Sequence, residues 1–128
     1  MIRSWSDLAS TYENGAHNHP YRDALQAIAE LCLLVSRSSL AGSLFPHTSH
    51  WKLFVGQVRY EYPPPPMPWL TVAPVSKNNI EFRYVDTPIP AKQWARVVNP
   101  PAAVERFERT IIQLGWVGSP VELRPALD

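Results

Sequence analysis

Residues 63–68 read Pro-Pro-Pro-Pro-Met-Pro, and this run limits the possible folds more than any other feature of the chain. Proline has no backbone N–H to give to a ladder, and its ring fixes φ. The segment is therefore neither a helix interior nor a central strand, and it favours a stiff, extended connection. It splits the surrounding apolar sequence into separate strands. Tyr60, Tyr62 and Trp69 bracket it in a chain with five tryptophans, so aromatic rings are expected to crowd one end of a small sheet.

Trp51 to Tyr62 has the aromatic and branched composition of a strand. Its alternation breaks, because Trp51, Leu53 and Val55 are odd-numbered whereas Val58, Tyr60 and Tyr62 are even-numbered. One extra residue at Gly56-Gln57 restores a single apolar face and predicts a bulge there, with Phe54 left on the outer face. The second strand, Trp69 to Val75, meets Pro74 near its end, and Lys77-Asn78-Asn79 supplies a hairpin turn. In the third strand Ile80, Phe82 and Tyr84 alternate with Glu81 and Arg83. Thr87-Pro88-Ile89-Pro90 breaks the sheet, and a short helix or turn over Ala91 to Val98 is expected to bury Trp94 and Val98.

Helical spacing marks three other segments. Ser4 to Tyr12 places Trp5, Leu8, Ala9 and Tyr12 on one side, with Asn14-Gly15 as the stop signal. After Pro20, with Asn18 or His19 as cap, the inward stripe reads Tyr21, Ala24, Leu25, Ile28, Leu31, Cys32 and Val35. Leu33 alone interrupts its polar side, and Ser38 to Ser49 reads as a loop. Asn99 caps the last helix, Pro100 and Pro101 suit its first turn, and Gly115 ends it. Val104, Phe107, Ile111 and Leu114 form its stripe, and Glu105 and Arg109 pair on the outside. Trp116-Val117 is expected to fold back, and Val121-Glu122-Leu123 to add a short strand. The expected fold is one α+β domain over residues 1–128: a three-stranded antiparallel meander packed on one face by two main helices. Its order is α-β-β-β-α, with short helical turns at the margins.

Twelve Lys and Arg against eleven Asp and Glu give a formal charge of +1, which supplies no footprint for nucleic acid. The longest apolar run, Leu31 to Val35, is too short to span a bilayer, and the start lacks a signal-like apolar core. A cytoplasmic protein without membrane contact is expected. A single cysteine, Cys32, excludes an internal disulfide and falls on the core stripe as an inert small hydrophobe. His17 and His19, and His47 and His50, sit in segments with no element to fix metal geometry, so no metal or cofactor is expected. The string His17-Asn18-His19 lacks the surrounding motif of an HNH nuclease.

No nucleophile elbow, phosphate loop, dinucleotide glycine pattern or HExxH occurs, and the meander separates Asp86 from His47 and His50. No catalytic residue is assigned. Arg96, Arg106, Arg109 and Arg124 are interspersed with Glu105, Glu108 and Glu122 and read as a solvated face. The remaining candidate is the aromatic and proline rim: Tyr62, Pro64, Pro65, Met67, Trp69, Tyr84 and Asp86 at one strand-end edge. It points to a non-catalytic protein that works by protein–protein contact, immunity- or inhibitor-like by analogy of size. A homodimer through a strand edge or through Leu33 is compatible with this. The alternative is an enzyme or small-ligand-binding domain with a pocket between sheet and helices, using Arg83, Tyr84 or Asp86 as polar contacts.

Overall fold

Ser4 begins the first helix. Its hydroxyl accepts a hydrogen bond from the Asp7 amide at 3.1 Å, and the Asp7 carboxylate accepts from the Ser4 amide at 3.4 Å. This reciprocal capping box satisfies two donors that a helix start otherwise leaves orphaned. The computed structural model describes residues 4–59, 68–86, 88–117 and 123. Helix α1 spans Trp5–Ala16, α2 Arg22–Ser36 and α3 Ala103–Gln113. The strands are β1 Phe45–Ser49, β2 Lys52–Gly56, β3 Trp69–Ser76, β4 Asn79–Val85 and β5 Trp94–Val98. Short 3-10 turns cover Ser39–Gly42, Pro90–Lys92 and Pro100–Ala102.

The α+β class holds, but the three-stranded meander is corrected to five antiparallel strands in the order β1-β2-β3-β4-β5. The element order is α-α-β-β-β-β-β-α. Two strands hid behind ambiguous patterns. Phe45–Ser49 contains Pro46 and little apolar alternation, yet it pairs with β2 as an edge strand, where a missing N–H is tolerated. Trp94 and Val98 are four residues apart, a spacing that fits one helix face and equally one strand face. In the structure they share a strand face.

The bulge expected at Gly56-Gln57 is also corrected. Pairing runs without a register shift from Ser49↔Lys52 to Phe45↔Gly56, and the chain then leaves the sheet. The apparent break in alternation came from joining a turn, a strand and the residues after it into one element, of which Tyr60 to Tyr62 lie outside the described residues. Trp51 belongs to the turn, and Val58 lies beyond the strand with 54% of its surface exposed. Phe54 does face outward, beside Thr71. The sheet's one register shift among the described residues lies between Pro74 and Ser76.

All three helices lie on one side of the sheet. Leu53, Val55, Leu70, Val72, Ile80 and Phe82 face Leu8, Tyr12, Leu25, Ile28, Leu31, Val35, Phe107 and Ile111 in a core that excludes solvent. The Trp5 indole N–H donates to the Leu44 carbonyl at 2.9 Å, so this large ring is buried without an orphaned donor. The β3–β4 turn is tied to α2, because the Ala24 amide donates to the Lys77 carbonyl at 3.1 Å.

Two glycines have distinct local reasons. Gly115 has φ +72°; its amide donates to Ile112 and the Trp116 amide donates to Ile111, the paired bonds of a Schellman cap. Gly15 does not end α1. It lies under the indole of Trp51, where no side chain fits.

Candidate functional site

An open sheet has two edges, and here they differ. Edge strand β1 carries Pro46, which removes one ladder donor. Its hairpin tip is held down as well: His50 and Trp51 have φ of 51° and 65°, the left-handed pair of a tight two-residue turn. The Trp51 ring packs 5.8 Å from Tyr12 and 5.9 Å from His19, and the Tyr12 and Thr48 hydroxyls are hydrogen-bonded at 2.8 Å. The opposite edge, β5, contains no proline and pairs only with β4 among the described residues. Its middle residues are exposed, Val97 by 53%.

Register fixes which way β5 presents its side chains. Trp94, Arg96 and Val98 stand opposite Tyr84, Phe82 and Ile80, and so face the helix side. Ala95 and Val97 face the other side, opposite Arg83 and Glu81.

A buried carboxylate shapes the connection into this strand. Asp86 is 3% exposed; Oδ2 accepts from the Tyr84 hydroxyl at 3.2 Å and Oδ1 accepts from the Ile89 amide at 2.8 Å. The Asp86 amide donates to Gln93 Oε1 at 3.1 Å, one residue before β5 begins. Burial, then the hydrogen bond to Asp86 and its charge, push the Tyr84 phenol above its ordinary pKa, so it remains a donor. Its ring lies 6.3 Å from Trp94 and 6.5 Å from Trp116, which the Gly115 cap delivers. The result is a fixed corner at the start of the open strand.

Arginines lie along the same side. Arg96 projects from β5 and is exposed, while Arg106 of α3 is partly buried. The Arg106 Nε is shielded from solvent and has no hydrogen-bond partner among the described residues. Burial, then the nearby charges of Arg96 and Arg109, lower its pKa, with Glu105 acting in the opposite sense. Glu105 is already paired with Arg109 at 2.6 Å, and the Glu108 carboxylate accepts from the Leu123 amide at 2.7 Å.

The residues proposed from sequence are distributed as follows. Tyr84 and Asp86 are joined directly, and both are buried. Trp69 pairs with Val85, on the face opposite Tyr84, and is also buried; its ring meets Phe54 edge-on at 6.3 Å. Trp69 and Tyr84 therefore do not share a surface. Tyr62, Pro64, Pro65 and Met67 lie outside the described residues, as do Val121 and Glu122 of the expected last strand. Arg83 faces outward and is paired with Glu81 at 3.1 Å. His47 stacks near Phe54, His19 near Trp51, and no group of three or more His, Cys, Asp or Glu is placed to hold a metal among the described residues. Also among these residues, no helix is long and apolar enough to cross a membrane. A cleft of about 540 Å³ beside Asp23, Gln26, Glu30, Asn99 and Pro100 opens on the outside of α2, away from the Tyr84–Asp86 corner.

Sequence reasoning missed β5 and the unpaired Arg106. The signal for the first was present in Trp94-Ala95-Arg96-Val97-Val98, a branched and aromatic run bounded by prolines. The second could not be seen, because in sequence Glu105 and Glu108 neutralise the arginines, and only the structure gives their partners. Compared with protein-family models, with curated proteins and with solved structures, the chain matches none.

Proposed function

We propose that the protein is a non-catalytic recognition module that takes an extended segment of a partner protein onto the open edge of β5. The observation that supports this most is an exposed, proline-free edge strand held by a buried hydrogen-bonded corner. Unpaired backbone N–H and C=O groups along such an edge template another strand, and main-chain hydrogen bonds supply affinity in this mode. A strand already fixed in place has less conformational freedom to lose on binding. Tyr84 and Asp86 enter this reading as supports of β5, and Trp94 as an apolar contact beside it. A cytoplasmic setting suits the lone thiol of Cys32.

Site-specific photocross-linking in the native host tests the reading. The photoreactive residue p-benzoylphenylalanine is placed at position 97 on β5, and in separate variants at positions 33 and 75. A discrete protein adduct from position 97 that positions 33 and 75 do not give is the expected result. Equal labelling from all three, or an adduct only from position 33 or 75, contradicts it.

A further inference from the structure

We infer that the segment received by β5 carries an acidic residue, whose carboxylate is bound between Arg96 and Arg106. The inference rests on the edge-strand reading and gives it a chemistry. Arg96 lies mid-strand on the helix side of β5, and Arg106 stands on α3, near enough for the two charges to act on each other. Arg106 has a shielded Nε with no partner among the described residues. Native proteins pair nearly all such groups, because an unmade bond leaves the desolvation cost uncompensated.

Among the described residues, neither nearby carboxylate pairs with Arg106. Glu105 is taken by Arg109, and Glu108 by the Leu123 amide. Two guanidinium groups of like charge thus act on each other on the helix side of the sheet, and among the described residues no carboxylate is paired with Arg106, so a partner's carboxylate would supply the counter-charge. A carboxylate suits them, since the planar guanidinium fork matches two oxygens and charge-assisted bonds are the stronger kind. On an added strand, the residue directly opposite Arg96 has its Cβ about 4.5–5.5 Å from that of Arg96, within reach of Asp or Glu.

The same charges disfavour a second copy of this chain as the occupant. Two β5 strands paired antiparallel about their centres bring Arg96 against Arg96, with an Arg106 behind each. An inward-directed charge on an edge strand blocks indiscriminate pairing, so Arg96 rejects its own copy and selects an acidic strand.

The test is selection from a displayed library of random eight-residue peptides, run in parallel on the wild-type chain and on Arg96→Glu. Peptides that bind the wild type are expected to share Asp or Glu at one fixed position within an alternating apolar pattern. Their affinity should fall about tenfold or more for Arg96→Glu, as loss of a charge-assisted bond implies. Selection on Arg96→Glu should favour Lys or Arg at that same position. A second variant, Arg106→Gln, should weaken the acidic peptide while leaving its Gln-substituted form unchanged. Absence of any enriched peptide, absence of an acidic preference, or the same preference in Arg96→Glu overturns the inference. Amide exchange separates the two levels: enriched peptides without acidic bias that still protect β5 sink only the carboxylate. Peptides that leave β5 unprotected sink the edge reading too.

Discussion

Replacing Gly15 with alanine should destabilise the protein even though alanine is the better helix former. Gly15 lies inside α1, where Ala is favoured over Gly by about 0.8–1.0 kcal/mol in an exposed helix. A Cβ built there overlaps the Cη2 atom of Trp51 and falls 2.5 Å from Cζ3 and 3.0 Å from Cζ2. The indole cannot simply step aside, since Tyr12 and His19 flank it and its backbone is already in the left-handed region. Overpacking of this sort costs about 1–3 kcal/mol, which outweighs the propensity gain. The expected net loss is about 1 kcal/mol, a fall in Tm of roughly 3–6 °C for a chain of this size. Urea unfolding followed by far-ultraviolet circular dichroism measures it. The decisive comparison uses Trp51→Gly as the background: with the ring gone, Gly15→Ala should change sign and stabilise by up to about 1 kcal/mol. Stabilisation in the wild-type background, or the same shift in both, refutes the reasoning.

Gly115→Ala meets no atom within 4 Å but must adopt φ +72°, so it should cost about 1–2 kcal/mol through backbone strain alone, and Gly115→Asn less; thermal unfolding of both variants checks this. Burial pushes the Cys32 thiol from 9.0 up to about 12, so the folded state keeps a proton that the unfolded chain releases above 9.0. The associated stability is therefore complete below pH 9 and lost at roughly 1.4 kcal/mol per pH unit as pH rises from 9.0 towards about 12; in Cys32→Ala this contribution should vanish. Asp86→Ala leaves the Tyr84 hydroxyl and the Ile89 amide without their acceptor and should cost about 2–4 kcal/mol, while Asp86→Asn, which keeps a carbonyl oxygen, should cost less. Urea titrations of the two variants decide between them.

The helices were the most legible part of the chain because their stripes are long. The expected caps were displaced: α2 starts after Tyr21 and α3 after Ala102, neither with a side-chain cap bond, and Asn99 precedes a 3-10 turn instead. The Val104, Phe107 and Ile111 spacing and the left-handed Gly115 each carry one physical meaning, and the structure shows both. The inward set of α2 from Ala24 to Val35 is equally direct, and only Tyr21 at its start is exposed. The sheet was half legible. β4 alternates cleanly, whereas β1 and β5 are short edges whose residues satisfy two patterns at once. The turn between β1 and β2 gave no Asn-Gly signal, since His50 and Trp51 adopt left-handed angles that their own side chains disfavour. Tertiary contact with Gly15, Tyr12 and His19 holds them there, and a local pattern cannot register a partner 30 or more positions away. The sequence brought Tyr84 and Asp86 together, at the end of β4 and just beyond it, but not Arg96 with Arg106, which stand on a strand and a helix whose packing no local spacing shows.

Backbone amide exchange across β5, measured on the free chain and on the chain bound to its cross-linked host partner, tests recognition by strand addition most directly. Alternate amides of residues 94–98 should exchange at least about tenfold more slowly in the complex, while those of β1 keep their free rates. Unchanged exchange along β5, with protection appearing on another face, would contradict the account.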